Sequence, residues 1–316
     1  MKYQMPIAYA MSIFKSLIYA FALLIIGNLL DNISLFDVLA LRFLFSAAGV
    51  IFLRMIGAIK INLKGKNITA LLIVAILQPI IYFIFEALGI KNTTTVTAGL
   101  IFSLIPLVTV VSEKIILKES ANGKQKLFMC LVIIGAMICT VMSSTGSSGK
   151  SELIGIIFIL IALISDGLHM TCSRKASRVF SSFEITYIMA ITGAVVFNII
   201  NIAIHLRNNT TASYFTPLYK IENVIAFAYL GIVCSIVAVG MHNYTLSKIQ
   251  ASTISSLSGL YTIFAIMLGV IFNNEALQIY HIIGAVLIIV GGIGANYYRN
   301  KTLHIENYIH NEGKCI

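Results

Sequence analysis

Tryptophan is absent from the 316-residue chain, proline occurs four times and charged residues make up 11% of it. A charge content so far below the ~25% of ordinary soluble domains excludes a solvated globular surface. The five cysteines, Cys130, Cys139, Cys172, Cys234 and Cys315, share no metal-ligand spacing. Four of them sit in or beside apolar runs, so they read as small packing residues and no metal site or disulfide framework is expected. The six histidines form no HExxH pair, and no GxxxxGKS or GxxxxGKT loop is present. A zinc protease and an ATP-driven pump within this chain are thereby excluded, and the sequence calls for no catalytic residues and no cofactor. Long polar connections are missing too, which leaves no room for a separate soluble domain.

Apolar residues fill 59% of the chain, with a mean hydropathy of +0.94. They come in ten blocks, approximately 7–28, 36–57, 68–90, 94–116, 125–143, 153–172, 184–205, 223–244, 252–273 and 279–298. Each is long enough to cross a hydrocarbon core of ~30 Å as a helix, and none shows the alternation of a barrel strand. The first block is too long, and wrongly flanked, for a cleaved signal peptide. An all-α membrane protein of ten transmembrane helices is the expected fold, and the cell membrane its location.

Lysine and arginine set the orientation. Sixteen of the 22 fall at the N-terminus, in alternate loops and in the tail, against four in the opposite loops: Lys91, Lys150, Arg207 and Lys220. Both termini are therefore expected in the cytoplasm. Topology explains the net charge of +10 without a nucleic-acid partner, and the basic inner rim suits the anionic head groups of the lipid bilayer.

The chain also matches itself. "SLFD" at 34–37 recurs as "SSFE" at 181–184, each placing Ser three residues before an acid at a helix start, which is the capping-box spacing. "LVIIGA" at 131–136 matches "LIIVGG" at 287–292, and the same shift of 156 superposes Glu119 on Glu275 and Thr97 on Thr253. Residues 1–143 and 153–298 thus read as two five-helix repeats joined by an external linker, 144–152, and followed by a tail, 299–316. Five spans end on the side opposite to their start, so the second repeat must be inverted, an architecture common among secondary transporters.

"LRF" in the second span, "ALGIKNTTTVTAGLIFSLIPLVTVVSEKIILKE" at 87–119 and "YTLSKIQASTISSLSGLYTIFAIMLGVIFNNE" at 244–275, in this order and spacing, resemble the EamA group of the drug/metabolite transporter superfamily. The resemblance covers nearly the whole chain. It implies secondary transport of a small-molecule substrate, such as an amino acid-like metabolite or a drug, often outward and driven by a proton or by exchange against a counter-solute. A membrane-embedded receptor, scaffold or enzyme is the alternative class.

Depth along each span, at ~1.5 Å per residue, selects the polar side chains able to line a cavity. Lys15, Tyr19, Gln78, Tyr82, Ser103, Ser258 and Tyr261 are the candidates for substrate contact. Lys15 and Asp166 are the sharpest pair, because charges at such depth are costly and usually face protein or water. Asp166, with His169 one turn away, is the candidate for proton coupling, and a purely structural ion pair with Lys15 is the competing expectation. Arg42, by contrast, reads as an anchor reaching the outer interface or pairing with Asp31 or Asp37, with direct substrate contact as the competing expectation. Ser252, Ser255, Ser256 and Gly259 make a small face suited to close helix packing. Pro106 reads as a kink or as a flexing point, and Glu113, Glu119 and Glu275 read as solvated helix ends.

Overall fold

The structure is a computed structural model that describes residues 4–30, 32–92, 101–102, 104–118, 121–141, 150–257, 260–261, 263–264, 267–268, 271 and 279–312. Helices follow one another through the described residues, with no strand: α1 (Gln4–Leu30), α2 (Leu35–Met55), α3 (Thr69–Ala75), α4 (Tyr82–Asn92), α5 (Ile105–Ser112), α6 (Gly123–Val141), α7 (Lys150–Ala176), α8 (Ser182–Arg207), α9 (Ile221–Ala228), α10 (Val239–Lys248), α11 (Ala251–Leu257) and α12 (Ile279–Glu312). Wider π-helical turns at Ile76–Ile81, Glu113–Leu117 and Tyr229–Ala238 join α3 to α4, follow α5 and join α9 to α10.

Five runs among the described residues are long and apolar enough to span a membrane: Leu35–Met55, Thr69–Gly89, Leu153–Ala176, Ser182–Arg207 and Ile221–Lys248. Two shorter apolar helices lie at Pro6–Ala22 and Ile282–Ala295. Large side chains such as Phe52, Ile199 and Ile293 stand exposed along these helices. In water such faces would aggregate, whereas against acyl chains they lose nothing. The protein is a multi-pass membrane protein. The expected spans 94–116 and 252–273 lie partly outside the described residues. The last helix continues to Glu312 rather than ending near 298, because no glycine or proline interrupts residues 299–312.

Packing divides the chain into two units. Unit 1 is Met1–Ala87 with Cys172–Ile249, and unit 2 is Leu88–Thr171 with Gln250–Ile316. In unit 1, α2 lies along α8 and against the Tyr229–Ala238 turns, while α1 runs beside those turns and α10. Ile18, Leu41, Phe227, Leu230 and Cys234 form one buried cluster, and Phe43, Ala47, Ala194 and Phe197 another, with the Phe43 and Phe197 rings stacked at 5.2 Å. Lipid supplies no hydrophobic drive between helices, so such contacts hold by dispersion and interhelical hydrogen bonds. In unit 2, α6 packs along α12, where Phe128 stacks on Tyr298 at 5.4 Å.

Both serine caps form. Ser34 Oγ accepts from the Asp37 amide, and Ser181 with Glu184 closes a reciprocal capping box. The two acids then diverge. Glu184 also accepts from Lys66 Nζ at 2.9 Å and from the Asn62 amide at 3.0 Å, tying the loop between α2 and α3 to α8. Asp37 instead accepts from Asn201 Nδ2 and meets His205 Nε2, both at 2.8 Å.

Candidate substrate site

An interrupted helix marks the middle of unit 1. Between α3 and α4, Gln78 has extended backbone (φ −143°, ψ 123°) and Pro79 follows it. Proline has no N–H to give, so carbonyls of the preceding turn lose their partners at a depth where the bilayer offers none. Irregular backbone at membrane depth is tolerated where it is buried in protein or lines a watered cavity, and such broken helices build substrate sites in transporters. Gln78 and Tyr82, both foreseen from the sequence, flank this break and are half-buried. The Tyr82 hydroxyl donates to Glu86 Oε1 at 2.6 Å, and its ring meets Phe83 edge-on.

Lys15 and Tyr19 lie one turn apart on α1. Lys15 is 4% exposed, with Nζ 3.1 Å from His242 Nδ1 on α10 and 5.9 Å from the centre of the Tyr19 ring. With Lys15 an ammonium, which only donates, Nδ1 accepts and Nε2 carries the imidazole proton. His242 is a partner the sequence reading did not select, although any ionisable group at this depth is a functional candidate. One residue on, Asn243 is fully buried, accepting from Ser173 Oγ at 2.8 Å and donating to Thr186 Oγ1 at 3.0 Å.

Arg42 departs from its expected role. Rather than reaching the interface it is buried, at 4% exposure, and Asp37 is engaged with His205 and Asn201; Asp31 lies outside the described residues. Arg42 Nε donates to Ser235 Oγ at 3.1 Å, and the guanidinium carbon sits 4.7 Å from the Phe83 ring centre and 5.7 Å from that of Phe43. The two rings contribute ~0.5–2 kcal/mol each and the charged hydrogen bond ~1.5–3 kcal/mol, against a desolvation cost of several kcal/mol per ion. Among the described residues no carboxylate contacts this cation. The approach that creates the contact depends on Gly231: a Cβ there would stand 2.6 Å from the Arg42 carbonyl oxygen and 2.9 Å from the Ser46 amide nitrogen.

In unit 2, Asp166 and His169 are both buried, with Oδ1 and Nδ1 3.9 Å apart. Beside them runs a set of buried hydroxyls. Ser112 Oγ lies 2.6 Å from Thr171 Oγ1, and Thr109 Oγ1 lies 2.8 Å from Ser255 Oγ. The second contact puts the small face of α11 against α5, as its serine spacing suggested. Tyr261 is half-buried, whereas Ser103 and Ser258 lie outside the described residues. Pro106 occupies the first turn of α5, a place where its missing N–H costs nothing. One expectation is corrected here. Glu113 is buried, not solvated, and its carboxylate accepts from the Ala251 amide at 2.6 Å. An open groove lined by Leu107, Val111, Ile115, Ile164 and Leu168 offers almost no polar group and suits acyl chains rather than a polar solute.

The EamA-like transporter family matches residues 6–141 and again 153–297. The chain belongs to the EamA-like transporter family. Like it, the "Uncharacterized transporter YcxC" of Bacillus subtilis is 34% identical over 300 residues, which are 95% of this chain and 96% of that relative. An "Uncharacterized transporter" of Clostridium kluyveri is 26% identical over 246 residues, 77% of this chain and 76% of that one. A solved crystal structure 16% identical in sequence superposes with a TM-score of 0.73 over 92% of this chain and 98% of its own, a likeness in fold. This EamA-like protein is thus a membrane transporter. The groups that its sequence left unmarked, His242, Ser235 and the Phe83 face, became candidates only through contacts to residues far along the chain.

Proposed function

We propose that this EamA-like transporter is a secondary carrier of small organic solutes, amino acid-like metabolites or drugs, which it exports by alternating access with a proton or a counter-solute as the coupling species. The interrupted helix at Gln78–Pro79, within an apolar run long enough to span the membrane, is the observation that carries this reading. Lys15, Tyr19, Gln78 and Tyr82 are assigned to the solute. Asp166 is assigned the proton, with His169 as its relay. Both termini and the basic loops face the cytoplasm, supported by the sixteen-to-four division of Lys and Arg.

Proteoliposomes holding the full chain test the coupling. Imposing a pH gradient should drive solute uptake by the wild type, and Asp166→Asn should lose that dependence while keeping solute exchange at equal pH, since exchange needs no net proton movement. Unaltered gradient-driven uptake in Asp166→Asn contradicts the assignment of the proton to Asp166.

A further inference from the structure

We infer that Arg42 is an anion-binding group and that the transported solute presents a carboxylate to it, an inference that deepens the functional reading above and rests on it. The guanidinium is held along its Nε edge and beside two neighbouring phenyl rings. Nε donates to Ser235 Oγ at 3.1 Å, while Ser235 itself donates to the Leu230 carbonyl at 2.9 Å. That second bond turns the hydroxyl so that its lone pairs face the arginine. Phe83 lies 4.7 Å from the guanidinium carbon and Phe43 5.7 Å. What remains is the end-on pair, Nη1 and Nη2. These atoms make no hydrogen bond to protein among the described residues, and the residue as a whole is only 4% exposed. Two parallel N–H donors left without an acceptor in protein are the fork that matches the two oxygens of a carboxylate.

The charge pattern points the same way. Three acids of unit 1 have partners other than Arg42: Asp37 holds His205, Glu184 holds Lys66 and Glu86 accepts from Tyr82. None of these contacts Arg42. One turn further along α2, Ser46 is fully buried and its Oγ has no hydrogen-bond partner among the described residues. A single guanidinium neutralises a single charge, which suits a monocarboxylate better than a dianionic phosphate. The flanking phenyl rings favour an acid with an apolar body.

Purified full-length protein in nanodiscs, melted with increasing sodium phenylacetate at constant ionic strength, tests this directly, with neutral phenylacetamide as the matched control. Phenylacetate should raise the melting temperature of the wild type in proportion to occupancy, and phenylacetamide should not. Arg42→Gln should bind phenylacetate at least ~10-fold more weakly, with Arg42→Lys in between. Because Arg42 has no counter-ion among the described residues to strand, ligand-free Arg42→Gln should melt at or above the wild type. A lowered melting temperature combined with an unchanged phenylacetate response would make Arg42 a packing residue and overturn the site. So would the absence of any phenylacetate shift in the wild type, or equal shifts in wild type and Arg42→Gln. Solute exchange in proteoliposomes separates the two readings. Exchange undiminished in Arg42→Gln removes the anion site and leaves the carrier standing, whereas Arg42-dependent phenylacetate binding without movement of any solute removes the carrier and leaves the site.

Discussion

Glu113 and Glu184 are both buried carboxylates that receive a helix amide, yet only one is readable from its neighbours. Glu184 answers Ser181 three residues away, a spacing that local sequence displays. Glu113 receives the amide of Ala251, 138 residues on, and nothing in "VSEKII" announces it. The same holds for Lys15, whose depth was legible and whose contact with His242, 227 residues away, was not. Sequence therefore locates costly groups by the solvent they sit in, while their partners are set by which helices meet. Removing the Glu113 carboxylate should leave the Ala251 N–H without its acceptor, a penalty of ~1–3 kcal/mol. Glu113→Ala should accordingly melt lower than the wild type in detergent, and Glu113→Gln, which keeps an acceptor oxygen, should fall between. Equal melting of all three would show the contact to be idle.

At the scale of the element, apolar run length marks helices well and their internal breaks poorly. The start of α2 and of α8 could be read from Ser34 and Ser181, because a cap is satisfied within four residues. The π-helical turns at Tyr229–Ala238 carry no comparable mark, since they arise where α2 presses on Gly231 and where Ser235 reaches back to the Leu230 carbonyl. Such wide turns often accompany functional sites, and this one carries the hydroxyl that holds Arg42. The seam between α2 and α8 is similarly tight. A Cβ at Gly193 would stand 2.5 Å from Phe43 Cδ1 and 2.9 Å from Pro79 Cγ. Gly193→Val should cost ~1–3 kcal/mol through overpacking and weaken transport by displacing the interrupted helix. Gly123→Ala, where nothing lies within 4 Å, is the control and should melt as the wild type. Loss of transport and stability in neither variant would mean that this seam yields freely.

The molecule as a whole is a membrane protein by solvent alone: the exposed apolar faces of its helices have no other tolerable environment. Charge bias then supports the proposed orientation. In a background without native cysteines, a cysteine at position 150 should react with an impermeant maleimide from outside the cell and one at position 64 should not; the reverse pattern would invert the proposed topology. The family places a carrier on this scaffold, and the buried polar groups of unit 1 are where we assign its solute. Counterflow is the most direct measurement of that claim. Proteoliposomes preloaded with an unlabelled mixture of amino acids and small organic acids, then diluted into trace labelled solutes, should accumulate at least one label transiently above equilibrium. Gln78→Ala with Tyr82→Ala should abolish the overshoot while melting within a few degrees of the wild type. An overshoot that survives this double substitution, or wild-type vesicles that accumulate no more label than protein-free ones, would contradict the account.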